Sequence, residues 1–301
     1  MNIIVGTWQL GGSSWATVKE ADVYKTIEQT IQLGCRHFDT APTYGDGRSE
    51  SALGKILSEA PSYKFTITTK VSPDQLKFDQ LVKSVELSLQ RLKVSSVGNL
   101  LIHWPAGTMN TEMVSLEEIS RGLEYIKKQG YAEKIGVCNY SLLELNNLEK
   151  LISLDTVQYP LSAVYRVVEP EILNHVLEKK YDIQAYSPLG QGLLAPKKQI
   201  TKPQDGDHRN WVRLYNKSDL LEECLVIRKK LIEKFDPDNF SSACLAWIIR
   251  KGATPIIGLH KPEHLELIKK SEFNLSQEEF DFIDTITTNL KNKIQDISMW
   301  G

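Results

Sequence analysis

The sequence lacks the features of a secreted, membrane or metal-binding protein. Its four cysteines, Cys35, Cys138, Cys224 and Cys244, stand far apart with no CxxC pair, so neither a disulfide framework nor a thiolate metal site is indicated. The longest apolar run, residues 243–249, is far shorter than the roughly 20 residues of a membrane helix. The N-terminus has no basic region and only a short apolar stretch, unlike a signal peptide. We therefore expect buried, reduced cysteines and a cytoplasmic protein without a metal.

The sequence also has no excess of charge of one sign. Its 36 Lys and Arg residues face 38 Asp and Glu residues, which gives a formal net charge of -2. A nucleic-acid-binding or membrane-binding protein usually carries a basic surface. We therefore expect a small-molecule partner and neither nucleic acid nor membrane.

Short apolar or β-branched runs alternate with longer helical patterns along the whole chain. The strand candidates are residues 3–8, 36–40, 65–70, 97–104, 133–139, 155–159, 182–187 and 253–258. The segments between them carry apolar residues at three- and four-residue spacing, as amphipathic helices do. One of these helices begins with a predicted capping box, Ser115 with Glu118, and ends near Gly130.

Repeated strand–helix units with continuously apolar strands predict a parallel sheet that helices cover. Eight units favour an α/β fold of the (β/α)8 TIM-barrel type over an open doubly wound sheet, whose GxGxxG after the first strand is missing. No linker divides the chain, so we expect one domain over residues 1–301. Residues 187–211 form a long loop, and residues 276–295 predict an extra C-terminal helix. Since monomers are common for this fold, we expect a monomer or a weak homo-oligomer.

Six successive strand candidates end in a polar or aromatic residue. These residues are Asp39, Lys70, His103, Asn139, Gln158 and Tyr186. In a TIM barrel the carboxyl ends of the strands form the active-site face, so these side chains are predicted to meet at one rim.

Taken together, these segments resemble the aldo-keto reductase superfamily over nearly the whole chain. The resemblance rests on "FDTAPTYGDGRSESALGKIL", "TITTKV", "LLIHWP", "IGVCNYS", "VQYPLS", "AYSPLGQGLL" and "PIIGLHKPEHLE". It implies NAD(P)H-dependent reduction of an aldehyde or ketone, such as a sugar or a small carbonyl metabolite, to the alcohol.

The resemblance places a catalytic tetrad at Asp39, Tyr44, Lys70 and His103, with Tyr44 as the proton donor. A free phenol has a pKa near 10, and a neighbouring ammonium on Lys70 would lower it. Asp39 would keep Lys70 charged and oriented. His103 would donate a hydrogen bond to the substrate carbonyl.

The same resemblance implies the residues that bind the nicotinamide. Tyr186 would stack on the ring, and Asn139 and Gln158 would hold its carboxamide. Thr7 and Trp8, at the end of the first strand, would lie nearby.

The pyrophosphate would lie over the last two strand–helix loops, where barrels often bind phosphate. Backbone amides of Ser187, Leu189 and Gly190 would face it. The segment that starts at Gly258 would supply a helix N-terminus at Pro262.

This chain departs from the family at the adenosine end. His260 stands where many members have an arginine for the 2'-phosphate of NADPH, Ile268 replaces an asparagine, and His264 replaces a glutamine. The cations that would compensate are Lys197, Arg209 and Lys261. The expected cofactor is NADPH, with NADH not excluded.

Two alternatives belong to other functional classes. A regulatory subunit that binds the nucleotide as a sensor would show little turnover, and the complete tetrad does not exclude it. A barrel aldolase would form a Schiff base on a neutral Lys70, which the neighbouring Asp39 opposes.

Overall fold

Eight parallel strands close into a barrel. The structure, a computed structural model, describes residues 2–12, 20–60, 62–196, 199–200, 202–259, 261–270, 272–294 and 297–299. The strands are β1 (Ile4–Gly6), β2 (His37–Asp39), β3 (Thr66–Val71), β4 (Val97–Ile102), β5 (Ala132–Cys138), β6 (Thr156–Pro160), β7 (Asp182–Tyr186) and β8 (Ala253–Gly258). Each strand pairs with the next in sequence, and β8 closes on β1. The predicted barrel and the positions of its eight strands are confirmed.

Helices surround the barrel. They are α1 (Glu20–Gln32), α2 (Arg48–Ser58), α3 (Phe78–Leu92), α4 (Leu116–Lys128), α5 (Leu142–Glu149), α6 (Glu171–Glu178), α7 (Arg213–Asn216), α8 (Ser218–Arg250), α9 (Leu265–Lys269) and α10 (Gln277–Lys293). Short 3-10 helices occupy Trp8–Gly11, Pro73–Gln75, Thr108–Asn110, Gly190–Gly192, His208–Trp211 and Pro262–His264. The described part of the predicted loop over 187–211 therefore contains two helical turns, and the predicted extra C-terminal helix is α10. Within the described residues, no helix combines the length and the apolar character needed to cross a bilayer.

The predicted capping box at the start of α4 forms only in part. Ser115 Oγ accepts from the backbone N–H of Glu118 at 3.2 Å. The Glu118 carboxylate, however, accepts from the backbone N–H of Phe78, the first residue of α3, at 3.0 Å. Glu118 thus caps the neighbouring helix and joins α3 to α4. Gly130 follows the helix with φ of 74°, as predicted for a residue just past its end.

Alternate residues of each strand face the helices or the barrel interior. Val5, Phe38 and Val137 are fully buried in the apolar layer under the helices. The interior combines apolar side chains such as Leu101 and Ile256 with buried polar ones. Gln158 on β6 donates to Asp39 on β2 at 2.8 Å, and because these strands are not neighbours, the contact crosses the inside of the barrel.

A buried ion-pair cluster attaches α10 to the barrel. The Arg166 guanidinium, 4% exposed, contacts the carboxylate of Glu169 at 2.6 Å and that of Asp284 on α10 at 3.2 Å. It also donates to Thr287 Oγ1 at 2.7 Å. The cation therefore joins the segment after β6 to the C-terminal helix.

We expect Arg166→Met to lower the free energy of unfolding by about 1–3 kcal/mol, because it removes buried hydrogen bonds to Glu169 and Thr287, whereas Lys251 still pairs with Glu169 and Asp284. Urea denaturation followed by circular dichroism measures this loss. The matched control is Lys229→Met, which removes an exposed lysine 3.9 Å from Glu233 and is expected to change stability by less than about 0.5 kcal/mol. Equal effects of the two substitutions would contradict a structural role for Arg166.

Candidate active site

A buried lysine lies at the centre of the barrel's C-terminal face. The Lys70 side chain is fully buried, and its Nζ donates to both carboxylate oxygens of Asp39 at 2.9 Å. It also donates to the backbone oxygen of Thr40 at 2.9 Å and lies 3.3 Å from Tyr44 Oη. Lys70 therefore contacts two other members of the predicted tetrad directly.

Tyr44 reaches this lysine from a tight turn after β2. The backbone N–H of Tyr44 bonds to Ala41 O at 3.1 Å. Gly45 has φ of 65°, and a Cβ there would lie 2.2 Å from the backbone oxygen of Gly11, so this close approach requires glycine. The Trp8 ring stacks on Tyr44 with centroids 5.9 Å apart. Trp8, the first residue of the 3-10 helix that follows β1, therefore packs against the tyrosine ring and helps to hold it in place.

The two titratable groups at this contact stay protonated at neutral pH. Burial raises the pKa of Tyr44 to about 12, although the charge on Lys70 acts in the opposite direction. The predicted influence of Lys70 is thus present, but it does not outweigh burial. The pKa of Lys70 is raised: burial opposes its charged form, but the Asp39 carboxylate outweighs that effect. An ammonium held in this way does not suit the Schiff-base chemistry of an aldolase.

His103 lies on the other side of Tyr44. Their rings meet edge-on with centroids 5.9 Å apart, and His103 Nδ1 is 3.4 Å from Thr43 Oγ1. The backbone oxygen of His103 accepts from Asn139 Nδ2 at 3.1 Å. Burial and the charge on Lys70 hold the pKa of His103 well below its usual value, so the ring is neutral. A neutral imidazole donates from one ring nitrogen only.

A large cleft of about 1140 Å³ opens above the tetrad. At one end it is bounded by two residues of the segment that follows β4: Trp104, and Met109 in the 3-10 helix Thr108–Asn110. At the other end it is bounded by Lys261 and Lys270, on the segment that follows β8. The cleft exceeds a common small-ligand pocket, so it has room for an extended ligand together with a smaller one.

Most residues predicted to bind the cofactor line this cleft. They are Trp8, Asn139, Gln158, Tyr186, Ser187, Leu189, Gly258, Lys261 and His264. Tyr186 Oη donates to Asn139 Oδ1 at 2.9 Å, so the two residues expected at the nicotinamide are in contact. Arg209 also lines the cleft, but its guanidinium forms a two-pronged ion pair with Asp207.

Other predicted residues have different surroundings. Thr7 is fully buried and is not part of the cleft wall; its hydroxyl donates to Asp39 O at 2.9 Å, so it supports the site from below. The backbone N–H of Gly190 is donated to Ser187 O and is not directed at a ligand. Lys197 and His260 lie outside the described residues. Ile268, which stands where the resemblance implies an asparagine in other members, is buried among apolar side chains.

The sequence interpretation missed several residues of the cleft wall. They include Gln9, Ser72, Pro73, Thr111 and Gln191. Ser72 and Pro73 directly follow β3, so their position after a strand was a usable signal. Across the described part of the chain, no group of three or more His, Cys, Asp or Glu residues is placed to hold a metal ion.

Comparisons with known proteins agree with this geometry. The sequence model of the aldo/keto reductase family matches residues 2–288. The aldo-keto reductase YhdN of Bacillus subtilis is 28% identical, over 97% of this chain and 90% of that protein. The NADPH-dependent alpha-keto amide reductase of Saccharomyces cerevisiae is 26% identical, over 93% and 85%. The solved structure of a glycerol dehydrogenase from Gluconobacter oxydans superposes with a TM-score of 0.83 at 26% identity, over 96% of this chain and 91% of that one.

We expect the His103 imidazole to remain neutral at pH 6.5, where an ordinary histidine is half protonated, because burial and Lys70 disfavour its charged form. Nitrogen-15 NMR of the histidine rings across a pH titration measures this state, and the spectrum of His103→Gln identifies the signal. A His103 midpoint at or above pH 6.5 would contradict the proposed effect of the buried lysine.

Proposed function

Because the chain belongs to the aldo/keto reductase family, whose members reduce carbonyl groups with NADPH, we propose that it reduces an aldehyde or ketone to the alcohol with Tyr44 as the proton donor. The observation that carries this proposal is the contact of Lys70 Nζ with both Tyr44 Oη and the Asp39 carboxylate. A phenol beside a permanently charged ammonium is suited to release a proton to a developing alkoxide.

The residues divide the chemistry between them. When bound, NADPH supplies the hydride. Tyr44, which burial keeps protonated, donates its proton to the substrate oxygen as negative charge develops there. Lys70 then stabilises the phenolate, and Asp39 keeps Lys70 charged. His103 accepts a hydrogen bond from the Thr43 hydroxyl at Nδ1 and donates one from Nε2 to the carbonyl oxygen, which fixes the orientation of the substrate.

The donor set of the cleft fits a nicotinamide dinucleotide. Gln158 and Asn139 offer amide groups to a carboxamide, and Tyr186 offers an aromatic ring beside them. The cleft continues past Ser187 and Leu189 to Lys261, so one extended ligand can span it. We propose NADPH as the preferred form, with Lys261 close to the 2'-phosphate, since a lysine binds phosphate as a point charge.

The substrate end of the cleft favours a small carbonyl compound. Trp8 and Trp104 provide flat apolar walls, while Thr43, Ser72 and Thr111 provide hydroxyl groups. Met109 is 62% exposed at this rim, so the mouth is open. This mixture suits small aldehydes, ketones and sugars, in which short carbon chains carry hydroxyl groups.

We expect Tyr44→Phe to lower kcat by about 10²–10⁴-fold, because the phenyl ring keeps the packing and lacks the transferable proton. The assay follows loss of NADPH absorbance with a panel of small aldehydes, ketones and aldoses. Tyr63→Phe, which alters an exposed tyrosine far from the cleft, is the matched control and should leave kcat unchanged.

The same assay separates the reductase from a nucleotide sensor. The proposal is supported by two results together: the wild type oxidises NADPH only when a carbonyl compound is present, and Tyr44→Phe loses this activity to the extent stated above. Tight NADPH binding by the wild type without turnover on any member of the panel would instead favour the sensor.

We expect Lys261→Met to raise the Kd for NADPH by about fivefold to tenfold and to leave the Kd for NADH nearly unchanged, since only NADPH carries the 2'-phosphate. Fluorescence titration with both nucleotides measures the two constants. Lys269→Met removes a lysine that pairs with Glu266 and does not line the cleft, so it should change neither. Equal weakening of both nucleotides by Lys261→Met would place that lysine away from the 2'-phosphate.

A further inference from the structure

The orientation of the Gln158 amide is fixed by a group that can only accept hydrogen bonds. Gln158 lies 2.8 Å from Asp39 Oδ2, an oxygen that also accepts from Lys70. An ionised carboxylate has no proton to donate, so Gln158 must turn its Nε2 towards Asp39. The choice between the amide oxygen and nitrogen of Gln158 is therefore set by chemistry.

The second N–H of this amide is held by Gln184. Gln158 Nε2 also lies 2.9 Å from Gln184 Oε1, on the adjacent strand β7. Gln184 is 3% exposed and does not line the cleft, so it cannot touch a ligand there. Both N–H groups of Gln158 are used inside the barrel. Its Oε1 remains as the acceptor for the cleft, which Gln158 lines.

Gln184 is in turn oriented from below. Its Nε2 donates to Thr68 Oγ1 at 3.3 Å, and Asn99 Nδ2 donates to the same oxygen at 3.2 Å. Thr68 Oγ1 also lies 2.8 Å from His37 Nε2. Burial lowers the pKa of His37, so this ring is neutral and can accept the single hydroxyl proton of Thr68. Each donor atom in this set then has at least one acceptor.

We propose that Gln184 is a positioning residue for the cofactor: it holds the Gln158 amide so that Oε1 faces the cleft and accepts from the carboxamide NH2 of the nicotinamide. This inference rests on the proposed function, since it requires a nicotinamide cofactor. Loss of Gln184 leaves one buried N–H of Gln158 without an acceptor. The amide keeps its hydrogen bond to Asp39 but is free to tilt about it, which moves Oε1 away from the nicotinamide.

The test compares two nucleotides that differ only in the group Gln158 would bind. NADP+ carries the carboxamide, whereas its 3-acetylpyridine analogue has a methyl ketone without N–H donors. We expect Gln184→Met to raise the Kd for NADP+ on the order of fivefold, the effect of one hydrogen bond, and to leave the Kd for the analogue within about twofold. Isothermal titration calorimetry measures both, and thermal unfolding confirms that the variant is folded.

Asn99→Leu is the matched control. Asn99 is equally buried and bonds to the same Thr68 oxygen, but its described hydrogen bonds do not involve Gln158. It should leave the ratio of the two Kd values at the wild-type level. Should Gln184→Met not fold, Gln184→Asn, which is one methylene too short to reach Gln158, is expected to give the same selective loss.

A double-mutant cycle tests whether Gln184 acts through Gln158. In a Gln158→Met background, Gln184→Met should have no further effect on the Kd for NADP+. Equal losses for both nucleotides, unchanged affinity for NADP+, or additive effects in the cycle would each overturn the inference. Failure of the wild type to bind either nucleotide would overturn the proposed function itself, and the inference with it.

Discussion

The ion pair between Lys70 and Asp39 determines how the rest of the barrel is built. An ammonium removed completely from water is strongly unfavourable unless oxygen atoms surround it. Here Asp39 and the backbone oxygen of Thr40 provide three such contacts at 2.9 Å. Because Asp39 only accepts, every further partner of its carboxylate must donate, and Gln158 does so. For this reason the part of the barrel interior beside Asp39 is polar, whereas the layer under the helices is apolar.

This constraint continues through a second layer of side chains. In a strand, residues two positions apart share a face. One step further into the barrel, His37 therefore lies below Asp39 and Thr68 below Lys70. In the same way, Thr156 lies below Gln158 and Gln184 below Tyr186. Thr156 donates to Asn99, and Asn99 donates to Thr68, so this layer is connected across the barrel. A network in which each donor meets an acceptor is rigid, and rigidity below the rim holds the reacting groups in place.

The sequence was sufficient to predict the rim but not its energetics. Strand periodicity and polar residues at strand ends predicted the barrel and the meeting of Asp39 and Lys70, because both depend on local pattern and strand direction. Tyr44 does not end a strand, and its place in the site was implied only by the family resemblance. The balance of burial against charge at Tyr44 depends on three-dimensional surroundings, so the predicted lowering of its pKa was wrong in net sign. The backbone N–H of Gly190 was likewise predicted to face the pyrophosphate, but it donates to Ser187 O within its own turn. The backbone geometry of that turn cannot be read from the residue types alone.

The raised pKa of Tyr44 is compatible with its proposed role. A phenol with a pKa of about 12 is almost completely protonated at neutral pH, so the donor is present in each molecule before the reaction starts. An alkoxide is a stronger base than a phenolate, so proton transfer to it remains favourable even with this pKa. As the phenolate forms, its charge lies 3.3 Å from the fully buried ammonium of Lys70, where the attraction is less screened than in bulk water. Burial therefore keeps the proton in place before the reaction, and the same burial strengthens the interaction that stabilises the phenolate after the proton has left.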